Sequence, residues 1–260
     1  MSEKQAAGRR GGPPKRARVA RSEWLSSAMV RLVFEGDDLA ALPDLAFTDH
    51  YIKIIFADAT RTYTIRALDR ERGEMTVDFV VHGDTGLAGP WAATARPGDE
   101  IVFRGPGGAW APDPDADLHL LVGDESAVPA IAAALDRLPV DAAAEVFVEV
   151  EGPGAEIAIP VTERTTVHWI HRAGRHPGVA LADAVQQRPW DPEGLRAFVH
   201  GNADMIRDLR RFLFRDRGIP RAQVSISGYW RTGLTEDDWQ ASKRAFMAQV
   251  EAEEAAGGAA

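Results

Sequence analysis

The first 116 residues alternate short apolar runs with clusters of turn-forming residues. The runs are rich in β-branched and aromatic residues, which favour strands, and Gly, Asp and Pro separate them at 36–38, 69–73 and 96–99. Several strands at regular spacing are typical of a small antiparallel barrel. One short helix is predicted over 85–95. The predicted strands are 28–34, 50–56, 61–67, 74–81 and 100–104, with strand-like sequence from residue 16 onward.

After residue 116 the pattern changes to strands that alternate with helical stretches. This alternation predicts a parallel sheet covered by helices on both faces. We therefore expect two domains, a barrel over 16–116 and an α/β domain over 117–250. The predicted strands are 118–122, 145–150, 166–171, 197–200 and 223–227, and the predicted helices are 126–138, 179–188, 203–217 and 235–252.

Composition narrows the range of functions. Hydrophobic residues make up 45% of the chain, yet no apolar run approaches the roughly 18 residues that a membrane helix requires. The N-terminus lacks the apolar segment of a secretory signal, so we expect a cytoplasmic protein that does not enter membranes. The chain has no cysteine, which excludes disulfides, cysteine-ligated zinc and iron–sulfur clusters. Redox chemistry would need a bound organic cofactor or a metal in the substrate.

Charge is unevenly distributed along the chain. The net charge is −9, but residues 1–21 carry seven Lys or Arg and a single Glu. The acidic remainder argues against a nucleic-acid partner. We expect residues 1–15 to form a disordered basic arm and 251–260 a disordered tail. Binding of an anionic polymer by the arm is the alternative.

The sequence RTYTIR at 61–66 contains the side chains that a flavin site needs. Alternate residues of a strand face opposite sides, so Tyr63 can lie against a ring while its neighbours reach a diphosphate. Taken alone, this stretch is equally compatible with a surface strand that makes ordinary cross-strand pairs.

Four further motifs follow in order: FVVHGD at 79–84, WA at 91–92, GDESAVPAI at 123–131 and GYWR at 228–231. Together with RTYTIR, this series resembles the siderophore-interacting proteins. These are flavin-dependent ferric-siderophore reductases of the vibriobactin-utilisation type, within the ferredoxin–NADP reductase superfamily. The resemblance implies a six-stranded antiparallel FAD-binding β-barrel followed by a parallel-sheet NAD(P)-binding α/β domain.

By this resemblance, Arg61 pairs with the FAD diphosphate, Tyr63 lies against the isoalloxazine and Thr64 approaches flavin N5. Tyr63 and Thr64 are therefore the expected catalytic residues. Arg66 is expected to add a second phosphate contact, since a guanidinium presents its donors as a fixed fork. The loop after 83 lacks a side-chain hydroxyl at 87–90, so backbone amides are the expected phosphate donors there. The other expected flavin-site residues are Ile65, Val80, His82, Gly86, Gly89, Trp91 and Ala92.

The resemblance also implies a nucleotide site at the start of the second domain. We expect the nicotinamide near Asp124, because that carboxylate would repel a diphosphate. Arg172 and Arg175 are expected at the adenosine part, where two arginines would suit a 2′-phosphate and so NADPH; a solvated loop is the alternative. Trp230 is expected to shield the flavin, or else to fill the domain interface. The expected residues are Gly123, Asp124, Ser126, Arg172 and Trp230.

Basic residues are expected to bind an anionic ferric siderophore beside the flavin. Lys53 interrupts an otherwise apolar strand, whereas the two cations of the final helix are equally explained as solvated charges. The expected substrate-binding residues are Lys53, Arg231, Lys243 and Arg244. We expect no metal site of the protein's own, because the iron is the substrate.

The implied reaction moves a hydride from NAD(P)H to flavin N5 and then single electrons to Fe(III). A flavin is needed because a nicotinamide gives two electrons and Fe(III) accepts one. Reduced ferredoxin is a second candidate donor, and a monomer is the default state. Two other functions stay open: a general flavin or ferredoxin-type reductase, and a non-catalytic siderophore-binding protein.

Overall fold

In a computed structural model that describes residues 12–57, 59–83 and 86–257, the first half of the chain forms one antiparallel sheet. Its strand order is β4-β3-β7-β1-β2-β6-β5. The strands are β1 Lys15–Ser26, β2 Met29–Glu35, β3 Tyr51–Phe56, β4 Ala59–Thr64, β5 Ala67–Asp69, β6 Glu74–Val80 and β7 Glu100–Gly107.

The antiparallel β domain is confirmed, but its described residues form seven strands rather than the expected six. The prediction of one strand over 61–67 is wrong, because the chain changes partners there. Ile65 N–H donates to the His50 carbonyl at 2.7 Å, and Arg66 N–H donates to the Thr76 carbonyl at 2.9 Å. β4 therefore pairs with β3, and β5 pairs with β6 at the other end of the sheet.

The core of this domain is built from alternate strand residues, as the period of a strand requires. Leu32 and Phe34 of β2, and Ile52 and Ile54 of β3, are almost completely buried. Two short helices cover the sheet, α1 Asp37–Ala40 and α2 Ala88–Thr94.

The second half forms a five-stranded sheet in the order β10-β9-β8-β11-β12. Every neighbouring pair is parallel, which confirms the α/β prediction. The strand order reverses between β8 and β11, and open α/β sheets bind ligands at such a point. The strands are β8 Leu118–Asp124, β9 Ala143–Val150, β10 Thr165–His171, β11 Leu195–Asn202 and β12 Val224–Trp230.

Four α-helices accompany this sheet. The helix predicted over 203–217 ends as an α-helix at Arg211 and continues as a π-helical turn, Phe212–Asp216. In the described part of the chain, no helix is both long and apolar enough to cross a membrane. The helices are α3 Val128–Leu135, α4 Val179–Gln186, α5 Ala203–Arg211 and α6 Glu236–Gly257.

The two sheets share apolar contacts. Met29 of β2 and Val80 of β6 belong to the cluster formed by α3 and the parallel sheet. The Trp110 ring lies 4.7 Å from the ring of Phe198 in β11, measured between centroids. The segment from Gly107 to Leu118 connects the sheets, and the predicted boundary near 116 falls within it.

The chain ends differ from the sequence prediction. The disordered tail is wrong over 251–257, because α6 continues there and Glu254 accepts hydrogen bonds from Arg210 at 2.7 Å and Arg221 at 2.5 Å. These ion pairs hold the helix end against α5 and the loop after it. Residues 258–260, and residues 1–11 of the predicted arm, lie outside the described residues, whereas Lys15 already belongs to β1.

Candidate active site

β4 is an edge strand, and the first turn of α6 covers its polar groups. Arg61 Nη1 donates to Asp237 Oδ2 at 3.0 Å and to the Thr60 carbonyl at 2.8 Å. The Thr62 N–H donates to Glu236 Oε1 at 3.0 Å. Two carboxylates of α6 thus contact the strand that was expected to face a diphosphate. Neither carboxylate is among the residues expected from the sequence, where their local signal is that acidic residues are favoured in the first turn of a helix.

The Tyr63 ring packs on an aromatic cluster. Its centroid lies 4.3 Å from that of Phe79, and the Trp91 ring contacts both Phe79 at 5.9 Å and Phe56 at 5.7 Å. Ala92 is buried in the same core. Trp91 of α2 therefore reaches Tyr63 only through Phe79, and the predicted contacts of Trp91 and Ala92 with the cofactor stay predictions.

Thr64 and Ile65, which follow Tyr63, are more buried than side chains that face a cofactor need to be. Burial raises the pKa of Tyr63, with Glu236 adding to the effect, so its phenol is neutral at physiological pH. Thr64 is buried, and the Ile65 side chain lies in the core. The Ile65 side chain is therefore not available to a bound group, and its predicted contact with the cofactor stays a prediction.

Arg66 does not lie with Arg61. Its guanidinium forms an ion pair with Asp136 at 2.6 Å, at the C-terminal end of α3. Arg66 therefore connects the two domains, and its buried Nε has no partner among the described groups. Its predicted phosphate contact stays a prediction that would require this ion pair to rearrange.

Gly89 allows α2 to approach β6 closely. A Cβ at this position would lie 2.9 Å from the Val80 carbonyl oxygen, so a larger residue would push the helix away. Gly86, at φ +87°, has open space where its Cβ would be. Backbone contact with a phosphate therefore remains sterically open at Gly86, next to residues 84 and 85, which lie outside the described part.

Asp124 joins the carboxyl ends of three parallel strands. Its carboxylate accepts hydrogen bonds from the Ser126 N–H at 3.0 Å, the Asn202 N–H at 2.8 Å and Trp230 Nε1 at 2.8 Å. Asp124 is itself buried. Gly123 precedes it, and a Cβ there would lie 2.4 Å from that of Ala127. The structure thus brings Gly123, Asp124, Ser126 and Trp230 together at the point where the strand order reverses.

Arg172 lies among three carboxylates rather than in a solvated loop. Its Nη2 donates to Glu125 at 2.5 Å, its Nε to Glu149 at 3.1 Å and its Nη1 to Glu151 at 2.8 Å. Glu149 also accepts the backbone N–H of Gly178 at 2.7 Å. The sequence marked the arginine but not its acidic partners, which lie 21 to 47 residues away along the chain.

A cleft of about 380 Å³ runs between the domains beside this cluster, and His82, Glu125 and Glu151 line it. The pKa of His82 is lowered by burial and then by Arg172, so the imidazole is neutral near pH 7. Burial, and then the charge of Asp124, raise the pKa of Glu125 to about 7. Two groups that titrate near or below neutrality therefore face the same cleft.

Two of the four predicted substrate cations lie near each other. Lys53 is exposed on β3, directly opposite Thr62 of β4 in the strand register. Lys243 of α6 donates to Ser227 Oγ at 3.0 Å. The pKa of Lys243 is lowered, first by burial and then by the charge of Lys53. The two lysines thus lie near each other beside β4.

The other two cations make different contacts. Arg231 forms an ion pair with Asp204 at 3.2 Å and lies over the Phe246 ring at 4.7 Å. Arg244 follows Lys243 on α6 but its side chain is exposed. Their predicted roles in substrate binding stay predictions.

Comparison with known families matches residues 18–60 and 57–110 to the siderophore-interacting FAD-binding domain, and residues 116–233 to the siderophore-interacting proteins. An uncharacterized protein of Mycobacterium tuberculosis is 39% identical over 279 aligned residues, which cover 93% of this chain and 98% of that protein. The ferric vibriobactin reductase ViuB of Vibrio cholerae is 30% identical, over 90% of this chain and 95% of that protein.

Solved structures agree with this match. A siderophore utilization protein from T. fusca has a TM-score of 0.77 at 31% identity, covering 86% of this chain and 95% of that one. The ferredoxin-NADP+ reductase of Plasmodium falciparum has a TM-score of 0.68 at 10% identity, covering 83% of this chain and 96% of that one. The second likeness shows the fold alone, and it confirms the ferredoxin reductase-like architecture.

Proposed function

Because the chain belongs to the siderophore-interacting protein family, we propose that it is an FAD-dependent ferric-siderophore reductase. Its substrate is Fe(III) held by an anionic siderophore, and its electron donor is NAD(P)H. Its product is Fe(II), which hard oxygen ligands bind more weakly and release. A cytoplasmic location, a monomeric state and reduced ferredoxin as an alternative donor belong to the same proposal.

The observation that carries the proposal is the pair Lys53 and Lys243. Burial disfavours the charged form of Lys243, and the charge of Lys53 adds to that cost. In the described part of the chain, neither lysine forms an ion pair with a carboxylate. Cations that are held together without a counterion are typical of a site that binds an anion. An anionic iron complex would supply the missing charge.

The residues present fit an FAD. Arg61 offers a guanidinium, which suits a diphosphate, and its present partner Asp237 is largely exposed. The neutral Tyr63 ring offers an aromatic face that Phe79 holds in place. When bound, the flavin supplies the conversion of a two-electron donor into one-electron steps.

The chain's own residues then have separable tasks. Arg61 and Tyr63 bind and orient the cofactor, while Lys53 of the neighbouring strand β3 and Lys243 of α6 attract and position the substrate. Since the chain has no cysteine, an iron–sulfur relay within it is excluded. Electrons must therefore pass directly from the cofactor site to the bound iron complex.

The first test is the absorbance spectrum of the purified protein, with and without added FAD. We expect a flavin spectrum, and a protein that takes up no FAD would contradict the proposal. The second test mixes the FAD-loaded protein anaerobically with NADH or NADPH and a ferric catecholate, with an Fe(II) chelator as the reporter. Binding of the siderophore without Fe(II) formation would indicate a non-catalytic binding protein.

Variants separate the substrate site from the cofactor site. Lys53→Gln should weaken ferric-siderophore binding while flavin content stays intact, and Arg61→Ala should lower flavin content. Arg215→Gln removes an exposed cation in the π-helical turn that follows α5 and serves as the charge control. If Lys53→Gln and Arg215→Gln both leave ferric-siderophore reduction unchanged, the chain is a general flavin reductase instead.

A further inference from the structure

The carboxyl edge of the parallel sheet is where open α/β domains bind nucleotides. In dinucleotide-binding domains, the end of the second strand lies beside the adenosine ribose. A carboxylate at that point suits the free 2′-hydroxyl of NADH, whereas an arginine suits the 2′-phosphate of NADPH. The second strand of this sheet in chain order is β9, so the charges around its end bear on the choice of donor.

β9 ends in glutamates that engage Arg172, one of the two arginines expected to suit a 2′-phosphate. Glu149 is fully buried near the end of the strand, and Glu151 lies just beyond it. Each of the three guanidinium nitrogens of Arg172 donates to a different carboxylate, those of Glu149, Glu151 and Glu125. The Arg172 side chain is only 9% exposed. A guanidinium enclosed in this way has no open edge for a phosphate.

The other groups that favour anions near this point are also engaged. The Gly178 N–H, at the start of α4, donates to Glu149 at 2.7 Å, so a protein carboxylate already occupies this helix terminus. Arg175, the second arginine of the loop, forms an ion pair with Asp183 of α4 at 2.6 Å. A 2′-phosphate would have to displace these carboxylates to gain a partner.

The cluster around Arg172 is also net negative. Three carboxylates surround one guanidinium, and Glu151 extends into solvent with 70% of its side chain exposed. The raised pKa of Glu125, caused first by burial, leaves that carboxyl partly protonated at pH 7 and makes the cluster less negative without neutralising it. A phosphate monoester carries about −1.5 to −2 at neutral pH. The cluster would therefore repel the 2′-phosphate of NADPH but not a hydroxyl.

We infer that this chain uses NADH in preference to NADPH, and that Glu151, with Glu149 and Glu125, sets this preference by sequestering Arg172 and presenting negative charge where the 2′-phosphate would lie. The inference rests on the proposed function, whose donor it narrows from NAD(P)H to NADH.

Anaerobic stopped-flow reduction of the FAD-loaded protein tests this preference. The second-order efficiency of reduction should be about tenfold or more higher with NADH than with NADPH. Glu151→Gln is the most informative variant, because an exposed side chain can be replaced without disturbing the fold. It removes one negative charge and weakens the contact to Arg172 Nη1, so the ratio of efficiencies should fall by about threefold or more.

A matched control removes the same charge elsewhere. Glu253→Gln changes a half-exposed carboxylate on α6 that pairs with Arg207, and the NADH-to-NADPH ratio should not change. A second measurement does not depend on turnover. Calorimetric titration of the full chain should show weaker binding of 2′-phospho-AMP than of AMP, and Glu151→Gln should reduce that difference.

Equal or better reduction by NADPH, or reduction by neither nucleotide, would overturn the inference. An unchanged ratio in Glu151→Gln would also overturn it, because the glutamates would then not set the preference. A different result would contradict the proposed function itself. In that case, protein whose flavin has been reduced chemically would not pass electrons to a ferric siderophore, whatever the nucleotide ratio.

Discussion

Replacement of Asp237 by asparagine is expected to tighten FAD binding. Asp237 is the carboxylate that pairs with Arg61 at 3.0 Å, and Arg61 is the cation assigned to the FAD diphosphate. The protein carboxylate and the diphosphate therefore compete for one guanidinium. When the negative charge at 237 is removed, the apoprotein loses a stabilising pair, and the cofactor no longer has to displace it.

The size of the effect follows from the exposure of the pair. The Asp237 side chain is 60% exposed and that of Arg61 is 18% exposed, so solvent screens much of their attraction. Ion pairs of this kind contribute roughly 0.2 to 1 kcal/mol. Since about 1.4 kcal/mol corresponds to tenfold in affinity, the dissociation constant of FAD should fall about 1.4- to 5-fold.

Fluorescence titration of the apoprotein with FAD measures this change. Asp238→Asn is the matched control, because Asp238 carries the same charge on the same turn but accepts its hydrogen bond from Thr235 Oγ1 at 2.7 Å. If both variants tighten FAD equally, the general field of α6 rather than the Arg61 contact is responsible. Weaker or unchanged binding in Asp237→Asn would refute the competition.

Further predictions concern the lysine pair, the buried glutamate and a strained glycine. Ferric-siderophore affinity should fall as the pH rises through the lowered pKa of Lys243, because its ammonium loses a proton there. Lys243→Gln should weaken binding and make the affinity less dependent on pH, which titrations at several pH values would measure. Lys53→Gln should move this decrease in affinity to higher pH, because the charge of Lys53, which contributes to the lowered pKa of Lys243, is gone. A decrease at the same pH as in the unmodified protein would show that the two lysines are not coupled. The pKa of Glu125 is raised from 4.5 to about 7 on folding, so the folded state binds more protons and stability decreases as the pH rises through this window. Glu125→Gln should reduce that decrease by on the order of 1 kcal/mol in urea unfolding at pH 5 and pH 8, and an identical decrease in both proteins would show that another group causes it. Gly201→Ala should lower the free energy of unfolding by about 1 to 3 kcal/mol, since φ is +137° and a Cβ would lie 2.6 Å from Asp124 Oδ2; a neutral result in thermal and urea unfolding would contradict the close approach.

The fold class and the order of its two halves could be predicted from the sequence alone. Strands and helices differ in the period of their apolar residues, and that period is a local property of the chain. The RTYTIR and GDESAVPAI motifs are local as well, so the expected flavin strand and the first loop of the parallel sheet were found without a structure. The strand count was not, because the change of partners between Ile65 and Arg66 depends on hydrogen bonds to His50 and Thr76.

The state of each charged group was decided only by the tertiary structure. The sequence marked Arg172 as a cation for a phosphate, but three glutamates from other segments enclose it. Likewise, nothing near Lys53 in the chain indicates that its charge, together with burial, lowers the pKa of Lys243. A charge acts through distance and burial, and both are set by which strands and helices the fold places side by side. The sequence therefore determined which chemistry the chain carries, and the tertiary structure decided which of its cations remain available to a ligand.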